Sequence, residues 1–125
     1  MFSGIVETTT LIEACADRAG ILECKLRRPK DFSDLRIGDS IAMDGVCLTL
    51  EKFDDEFMTF ALGPETLRIT GWTAAGLKDR VVNVERSLRF SDRIHGHLVT
   101  GHVDALSKIL ATEPFGETLR LTIAI

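Results

Sequence analysis

The stretch SIAMDGVCLTLEKFDDEFMTFAL, residues 40–62, contains three short segments that are typical of β-strands. Asp44-Gly45 separates the first two segments, and an Asp-Gly pair between two alternating runs is a strong hairpin signal. Asp54-Asp55 predicts a second chain reversal, before the run Phe57 to Leu62. The stretch therefore predicts a three-stranded antiparallel meander.

Further strands are predicted on both sides of this meander. Residues 4–9 and 20–27 alternate in polarity with period two, and residues 80–85 are rich in valine. Pro64 predicts the start of a short helical turn, and another is expected within residues 72–77. About six short strands in the first 95 residues predict an all-β fold. A closed barrel is favoured because a small open sheet would leave its edges and one face uncovered.

The composition excludes several classes of protein. The 125 residues carry a net charge of −4, which argues against a general electrostatic grip on nucleic acid or on an anionic membrane. Four consecutive apolar residues occur nowhere, so a transmembrane helix is excluded. The first residues lack the basic and apolar regions of a secretory signal, and a cytoplasmic location is expected. The three cysteines, Cys15, Cys24 and Cys47, predict no disulfide framework and are each expected to be small buried hydrophobic residues.

The end of the chain contains a weak internal repeat. Gly101-His102-Val103-Asp104 is similar to Gly4-Ile5-Val6-Glu7 at an offset of 97, and a few apolar positions match at the same offset. A second copy of the domain would then begin near residue 97 and stop after two strands. We therefore expect the chain to be part of a longer one.

Cys47 and Thr49 share one face of their predicted strand, opposite Val46, Leu48 and Leu50. The pattern is compatible with the small-residue face of a packed strand, and also with a thiol and a hydroxyl that line a pocket. The spacing of the residues alone leaves both interpretations open.

Three histidines, His95, His97 and His102, lie within eight residues. A metal site is the less favoured interpretation, because His-x-His is a loose pattern and no cysteine lies near it. Hydrogen-bonded neutral histidines are favoured, and His102 is a candidate acid or base. The locally basic run Arg86 to Arg93 is expected to be a solvated loop rather than a phosphate site. Glu65-Thr66 could cap a helical turn or bind the hydroxyl groups of a ligand.

Six ordered segments together resemble the riboflavin synthase family: MFSGIVE (1–7), GDSIA (38–42), DGVCLT (44–49), ETLRIT (65–70), VNVERS (82–87) and GHLVTGHVD (96–104). The resemblance implies two similar six-stranded antiparallel Greek-key barrels followed by a C-terminal helix. Residues 1–96 would form the first lumazine-binding barrel, and residues 97–125 would begin the second, which is incomplete.

The implied reaction is the dismutation of two molecules of 6,7-dimethyl-8-ribityllumazine. One molecule gives a four-carbon unit to the other, and the products are riboflavin and 5-amino-6-ribitylamino-pyrimidinedione. The resemblance implies that neither a metal nor an organic cofactor takes part. Two identical substrates suit a duplicated fold, because two similar pockets can hold the two rings face to face.

The resemblance also implies the site residues. Ser40, Cys47 and His102 are the candidates for activating a nucleophile or moving protons. The residues expected to contact substrate are Gly4, Ile5, Val6, Cys47, Leu48, Thr49, Ala61, Leu62, Gly63, Pro64, Glu65, Thr66, Asn83, Gly101, His102 and Val103. His95 stands where the family usually has a glycine, so strain is expected at the junction of the two barrels.

In the family, the working site forms between the first barrel of one subunit and the second barrel of a neighbour. A trimer is therefore expected for a full-length member, and a dimer or monomer for these 125 residues. The resemblance leaves a second function open, a non-catalytic lumazine- or flavin-binding protein of the same fold. Binding of ligand without turnover is expected if the missing half of the site is needed.

Overall fold

The computed structural model describes residues 1–94, 99–102 and 105–125. Six strands form a closed barrel in the order β1-β2-β5-β4-β3-β6, and β6 returns to pair with β1. They are β1 (Thr8–Arg18), β2 (Ile21–Arg27), β3 (Ser40–Met43), β4 (Val46–Phe53), β5 (Phe57–Leu62) and β6 (Val81–Arg86). All six pairings are antiparallel. The prediction of a six-stranded antiparallel barrel is confirmed.

Two short helices lie between β5 and β6. These are α1 (Pro64–Thr70), with proline at its start, and α2 (Ala74–Leu77), where the Thr73 hydroxyl accepts a hydrogen bond from the Gly76 amide. Within the described ranges, neither helix has the length that a bilayer crossing requires. Both helical predictions are confirmed. The first strand, by contrast, begins at Thr8 rather than at residue 4 and runs on to Arg18.

The barrel interior is filled by large apolar side chains that alternate along the strands. Leu48 and Leu50 of β4 face inward, as do Met58, Phe60 and Leu62 of β5. Phe32 covers the end of the barrel where β6 ends, and the Arg86 guanidinium lies 4.4 Å from its ring centroid. Because the interior is full, any ligand must bind on the outer surface of the barrel.

The turn between β3 and β4 confirms the Asp-Gly hairpin. Asp44 and Gly45 both have positive φ, of 48° and 81°, as a two-residue turn of this kind requires. The Asp44 carboxylate accepts a hydrogen bond from the Asn83 amide at 2.8 Å and pairs with Arg80 at 2.9 Å. The turn thereby ties β3 and β4 to β6.

Replacing Asp44 by alanine is expected to lower the free energy of unfolding by about 2 kcal/mol. The change removes a charge-assisted hydrogen bond and places an alanine at positive φ. Urea unfolding followed by circular dichroism measures the effect. Asp55→Ala in the next turn is the control, because the Asp55 side chain makes no hydrogen bond with any of the described residues. An equal loss in both variants would contradict the expectation.

The three cysteines differ from the sequence prediction. Cys15 of β1 and Cys24 of β2 are paired in register, with Cα atoms 4.4 Å apart, and they form a disulfide. The expectation of no disulfide was therefore wrong for this pair. Both side chains face the interior because a bulge between Ile12 and Ala14 sets the register of the hairpin, and the spacing of the cysteines does not reveal that bulge. Cys47 is a free thiol and is exposed rather than buried.

A separate two-stranded sheet follows the barrel, formed by β7 (Ile109–Phe115) and β8 (Thr118–Ile123). Its register repeats that of β1 and β2 at an offset of 97. Ile12 pairs with Leu26 and Ile109 with Ile123, and the same offset relates the remaining pairs and the position of the bulge. The first turn residues correspond as well, because Ala19 and Gly116 both have positive φ, of 56° and 62°.

Candidate functional site

Four of the predicted site residues lie together on the outer face of the barrel. Ser40 pairs directly with Thr49 across β3 and β4, and Cys47 lies two residues from Thr49 on the same face. Leu50 pairs with Phe60, and both are buried, so their neighbours Thr49 and Ala61 point outward on adjacent strands. Neighbouring strands are about 4.8 Å apart, so one small ring system can span these positions. We call Ser40, Cys47, Thr49 and Ala61 the outer polar face.

The sequence left open whether Cys47 and Thr49 face a packed layer or a pocket. Both are exposed, and the side chain of Cys47 carries a free thiol. The opposite face of β4 carries the core residues Leu48 and Leu50. The small residues are outside because the closed barrel places the large apolar side chains inside.

Two predicted contact residues, Leu48 and Leu62, have their side chains in the barrel core, with 4% and 0% exposure. On these residues only backbone atoms could reach a ligand on the outer face. The side chains of Thr66 and Glu65 lie on α1, directly after β5. Glu65 forms two hydrogen bonds with Arg68, at 2.7 and 2.9 Å, which lower the pKa of its carboxyl.

The first seven residues, which we call the N-terminal strap, lie outside regular secondary structure and cross the outer side of β6. Three backbone hydrogen bonds of 2.9–3.1 Å hold the strap in place. At its start, the Met1 carbonyl accepts from the Leu88 amide, and the Phe2 amide donates to the Thr100 carbonyl. At its end, the Glu7 amide donates to the Val84 carbonyl. Phe2 is buried, whereas Ile5 and Val6 are 55% and 48% exposed. The strap therefore presents two apolar side chains to the outside.

The strap and residues 99–102 are in close contact. Gly4 and Gly101 both have positive φ, and a Cβ atom added at Gly101 would lie 2.8 Å from the Gly4 amide nitrogen. The His102 ring packs edge-on against Phe2, with ring centroids 5.6 Å apart. The structure thus brings together predicted site residues that are about 97 positions apart in the sequence.

The outer polar face and the strap are neighbours. Ala42 of β3 pairs with Cys47 on one side and with Glu85 of β6 on the other. The Glu85 carboxylate in turn binds Ser3 and Gly4 of the strap. Asn83, two residues from Glu85, also faces outward and is exposed. Cys47 and Glu85 are two strands apart, which corresponds to about 10 Å.

Val103 lies outside the described residues, as do His95 and His97 and the junction around Gly96. The contact predicted for Val103 and the strain expected at His95 therefore stay predictions. In the described part of the chain, no group of three His, Cys, Asp or Glu side chains has the geometry to hold a metal ion.

Three surface clefts lie around this region, with volumes of about 530, 450 and 460 Å³. Ile5 and Val6 line the first, Ser40 lines the second, and Trp72 lines the third. Cys47 and Thr49 line none of these three clefts. Apart from Ser40, the outer polar face is therefore an open surface, and a bound ring would need a further covering element to be enclosed.

The first two clefts share a charged cluster that the sequence analysis missed. Arg86 pairs with Glu7 at 2.7 Å and with Asp34 at 2.5 Å, and Arg89 also pairs with Asp34. The hydrogen bond from Arg89, together with the hydrogen bond and positive charge of Arg86, lowers the pKa of the Asp34 carboxyl below its ordinary value of 3.8. Two arginines of the run Arg86 to Arg93 are thus paired with carboxylates. Arg86 is the last residue of β6 and is only partly exposed, so the expectation of a solvated loop was wrong for this residue, and the expectation about phosphate stays a prediction.

This lowered pKa predicts an acid-dependent loss of stability. Ionised Asp34 stabilises the fold at pH values above its unfolded-state pKa near 3.8, and this contribution is lost as the pH falls through the lower pKa of the folded state. Asp34→Asn is therefore expected to be less stable than the parent at pH 7 and nearly equal to it near pH 2. Urea titrations at both pH values measure the difference. A constant difference at both would contradict this assignment.

The sequence is similar to a known domain family and to several known proteins. Residues 3–87 match the family model described as the lumazine binding domain. Riboflavin synthase of Bacillus amyloliquefaciens is 39% identical over 90% of this chain and 52% of its own length. Riboflavin synthase of Schizosaccharomyces pombe is 36% identical over 98% of this chain and 59% of its own length. The chain thus spans somewhat more than half the length of these curated relatives.

Solved structures agree on the architecture. The crystal structure of LumP complexed with 6,7-dimethyl-8-(1'-D-ribityl) lumazine has a TM-score of 0.76 and 18% identity, and the match covers 100% of this chain and 69% of LumP. The structure of LumP complexed with riboflavin gives the same TM-score at 17% identity, over 98% of this chain and 66% of LumP. At such identity the likeness concerns the fold alone. The family match and the closed barrel together show that this chain belongs to the lumazine binding domain family.

Proposed function

We propose that this chain is the N-terminal lumazine-binding part of a riboflavin synthase. The observation that carries the proposal is the arrangement of Ser40, Cys47 and Thr49 on one exposed face, next to the strap that carries Ile5 and Val6. The similarity of the chain to riboflavin synthases supports the same assignment. The substrate would be 6,7-dimethyl-8-ribityllumazine, and riboflavin one of the two products.

The proposed ligand position follows from the polarity of the surface. The flat ring would lie on the outer polar face, with Ile5 or Val6 against one side of it. The hydroxyls of Ser40 and Thr49 would meet polar edges of the ring, and Glu65 and Thr66 would reach the ribityl chain. Asn83 and the backbone of Gly63-Pro64 would add polar contacts at the rim.

The proposed chemistry relies mainly on holding two rings together. Orientation of two bound reactants replaces a costly bimolecular encounter and can contribute about 7–11 kcal/mol to the barrier reduction. Ser40 and Cys47 are diagonal neighbours on the outer polar face, so either would place a nucleophile or an activated water at the ring. His102 lies across the strap, against Phe2, and is the candidate proton carrier on that side.

We further propose that residues 97–125 begin a second barrel. The repeated register of β1-β2 and β7-β8 supports this, as does the contact of Gly4 with Gly101 at the same offset of 97. The apolar side chains of β7 and β8 are exposed, while Ile12, Leu22 and Leu26 of β1 and β2 are in the core. A longer protein would cover them with the remaining strands and would supply the second half of the active site, within a trimer.

Fluorescence titration of the 125-residue protein with 6,7-dimethyl-8-ribityllumazine, followed over hours for riboflavin, tests the proposal. Saturable binding is expected, with little or no riboflavin formed. Rapid riboflavin formation would mean that two copies of this chain complete a site. Absence of binding to the folded protein would remove the assignment.

A pair of variants locates the site. Ala61→Phe is expected to weaken lumazine binding at least about tenfold, because the new ring occupies the outer polar face. Ala14→Phe is the control, since Ala14 is likewise an alanine on the outside of the barrel, two strands away on β1, and it is more exposed than Ala61. Equal affinities of the two variants would place the ligand elsewhere.

A further inference from the structure

Glu85 is a buried carboxylate that takes no part in the chemistry proposed above. It points to the outer side of β6 yet is only 6% exposed, because the N-terminal strap covers it. Among the described residues, no ion pair includes Glu85. Removal of a carboxylate from water is costly unless hydrogen bonds replace the lost solvation.

The strap supplies those hydrogen bonds. One carboxylate oxygen of Glu85, Oε1, accepts from the Ser3 amide at 2.7 Å, from the Ser3 hydroxyl at 2.9 Å and from the Gly4 amide at 3.1 Å. The Ser3 hydroxyl oxygen also accepts a hydrogen bond from the Ile5 amide at 3.1 Å. Glu85 therefore fixes three consecutive amides, two of them directly and the third through Ser3.

These contacts hold the middle of a segment that lacks regular secondary structure. The outer ends of the strap are held by backbone bonds to Leu88 and Val84, and Gly4 rests against Gly101. Glu85 fixes the segment between these ends, directly before the exposed side chains of Ile5 and Val6. The same Glu85 pairs with Ala42, whose other neighbour is Cys47.

We propose that Glu85 is a positioning residue for the lumazine site. It acts through the strap and sets the distance between Ile5 and the outer polar face before a ligand arrives. Because the strap is already ordered before binding, the ligand does not incur the entropic cost of ordering it. This inference rests on the proposed function for its ligand, but not for the hydrogen bonds it describes.

Amide–water exchange measured by NMR, without ligand, tests the hydrogen bonds directly. Glu85→Ala is expected to speed exchange at Ser3 and Gly4 at least about tenfold. Glu85→Gln keeps an amide oxygen at the same place and is expected to restore most of the protection. Glu56→Ala removes one carboxylate from the β4–β5 turn and is expected to change neither amide. Unchanged exchange in Glu85→Ala would overturn the positioning role.

Lumazine titration of the same variants tests the consequence for binding. Glu85→Ala is expected to bind at least about tenfold more weakly than the parent, with affinity rescued by Glu85→Gln. If the parent binds and Glu85→Ala binds equally well, the positioning role is wrong while the proposed function stands. If the folded parent does not bind, the proposed function fails, and the role of Glu85 in ligand binding fails with it.

A third variant covers the case in which Glu85→Ala does not fold. Ser3→Ala removes only the hydroxyl, so the direct bonds from Glu85 to the two amides are retained. Faster exchange at Ile5 and weaker lumazine binding are expected. Unchanged exchange at Ile5 together with parental affinity would overturn the part of the positioning role that acts through the Ser3 hydroxyl.

Discussion

Replacing Gly101 by alanine is expected to loosen the N-terminal strap and to weaken lumazine binding at least about tenfold. The new Cβ would lie 2.6 Å from the Phe2 Cβ and 2.8 Å from the Gly4 nitrogen, and the φ of +70° disfavours alanine. Backbone strain of this kind costs about 1 kcal/mol, and overpacking costs about 1–3 kcal/mol more. The chain can relieve the clash by separating the strap from residues 99–102, which removes the contact between Gly4 and Gly101.

Gly116→Ala is the matched control for this change. Gly116 has a similar φ of +62°, but nothing lies within 4 Å of an added Cβ, and its counterpart in the repeat, Ala19, is already an alanine. A loss of stability of about 1 kcal/mol or less is expected, with unchanged affinity for lumazine. Urea unfolding and ligand titration of both variants give the comparison. Similar behaviour of the two would show that backbone strain, rather than strap contact, determines the effect.

Replacing Phe60 by alanine is expected to lower the free energy of unfolding by about 3–5 kcal/mol. Phe60 is 1% exposed and lies in β5, where it pairs with Cys24 of β2 and Leu50 of β4. Its removal leaves a cavity in the centre of the barrel. A small domain has only about 5–15 kcal/mol of stability in total, so the expected loss is a large fraction of it.

Phe115→Ala is the control for the loss of an aromatic side chain. Phe115 ends β7 and is 65% exposed, so its removal is expected to change the free energy of unfolding by about 0.5 kcal/mol or less. Denaturant midpoints of the two variants decide the comparison. A loss at Phe60 as small as that at Phe115 would mean that the barrel core tolerates a large cavity.

The local features were predictable because they depend on nearest neighbours. The Asp44-Gly45 turn, the reversal at Asp54 and the proline at the start of α1 all have the positions that turn and cap chemistry requires. The alternation along β4 predicted which residues share a face. The resemblance of ordered motifs then led from these elements to a lumazine-binding barrel in the first part of the chain, which the family match and the closed barrel confirm. The second barrel stays a prediction.

Long-range register was not predictable from the spacing of residues. The bulge after Ile12 shifts the β1–β2 hairpin so that Cys15 and Cys24 meet on the inner face, which the sequence analysis did not expect. The three bonds from the strap to Glu85 join residues more than 80 positions apart. Such contacts form only when the whole barrel closes, so a local sequence pattern does not indicate them.

The amino-acid sequence by itself therefore determined the strand pattern, the turns and the placement of Cys47 and Thr49 on the same face of β4. Only the tertiary structure decided that this face lies outside the barrel and that the strap and Gly101 lie beside it. The physical reason is volume. The large side chains of β4 and β5 fill the interior of a six-stranded barrel, so the small polar residues between them can only line its surface.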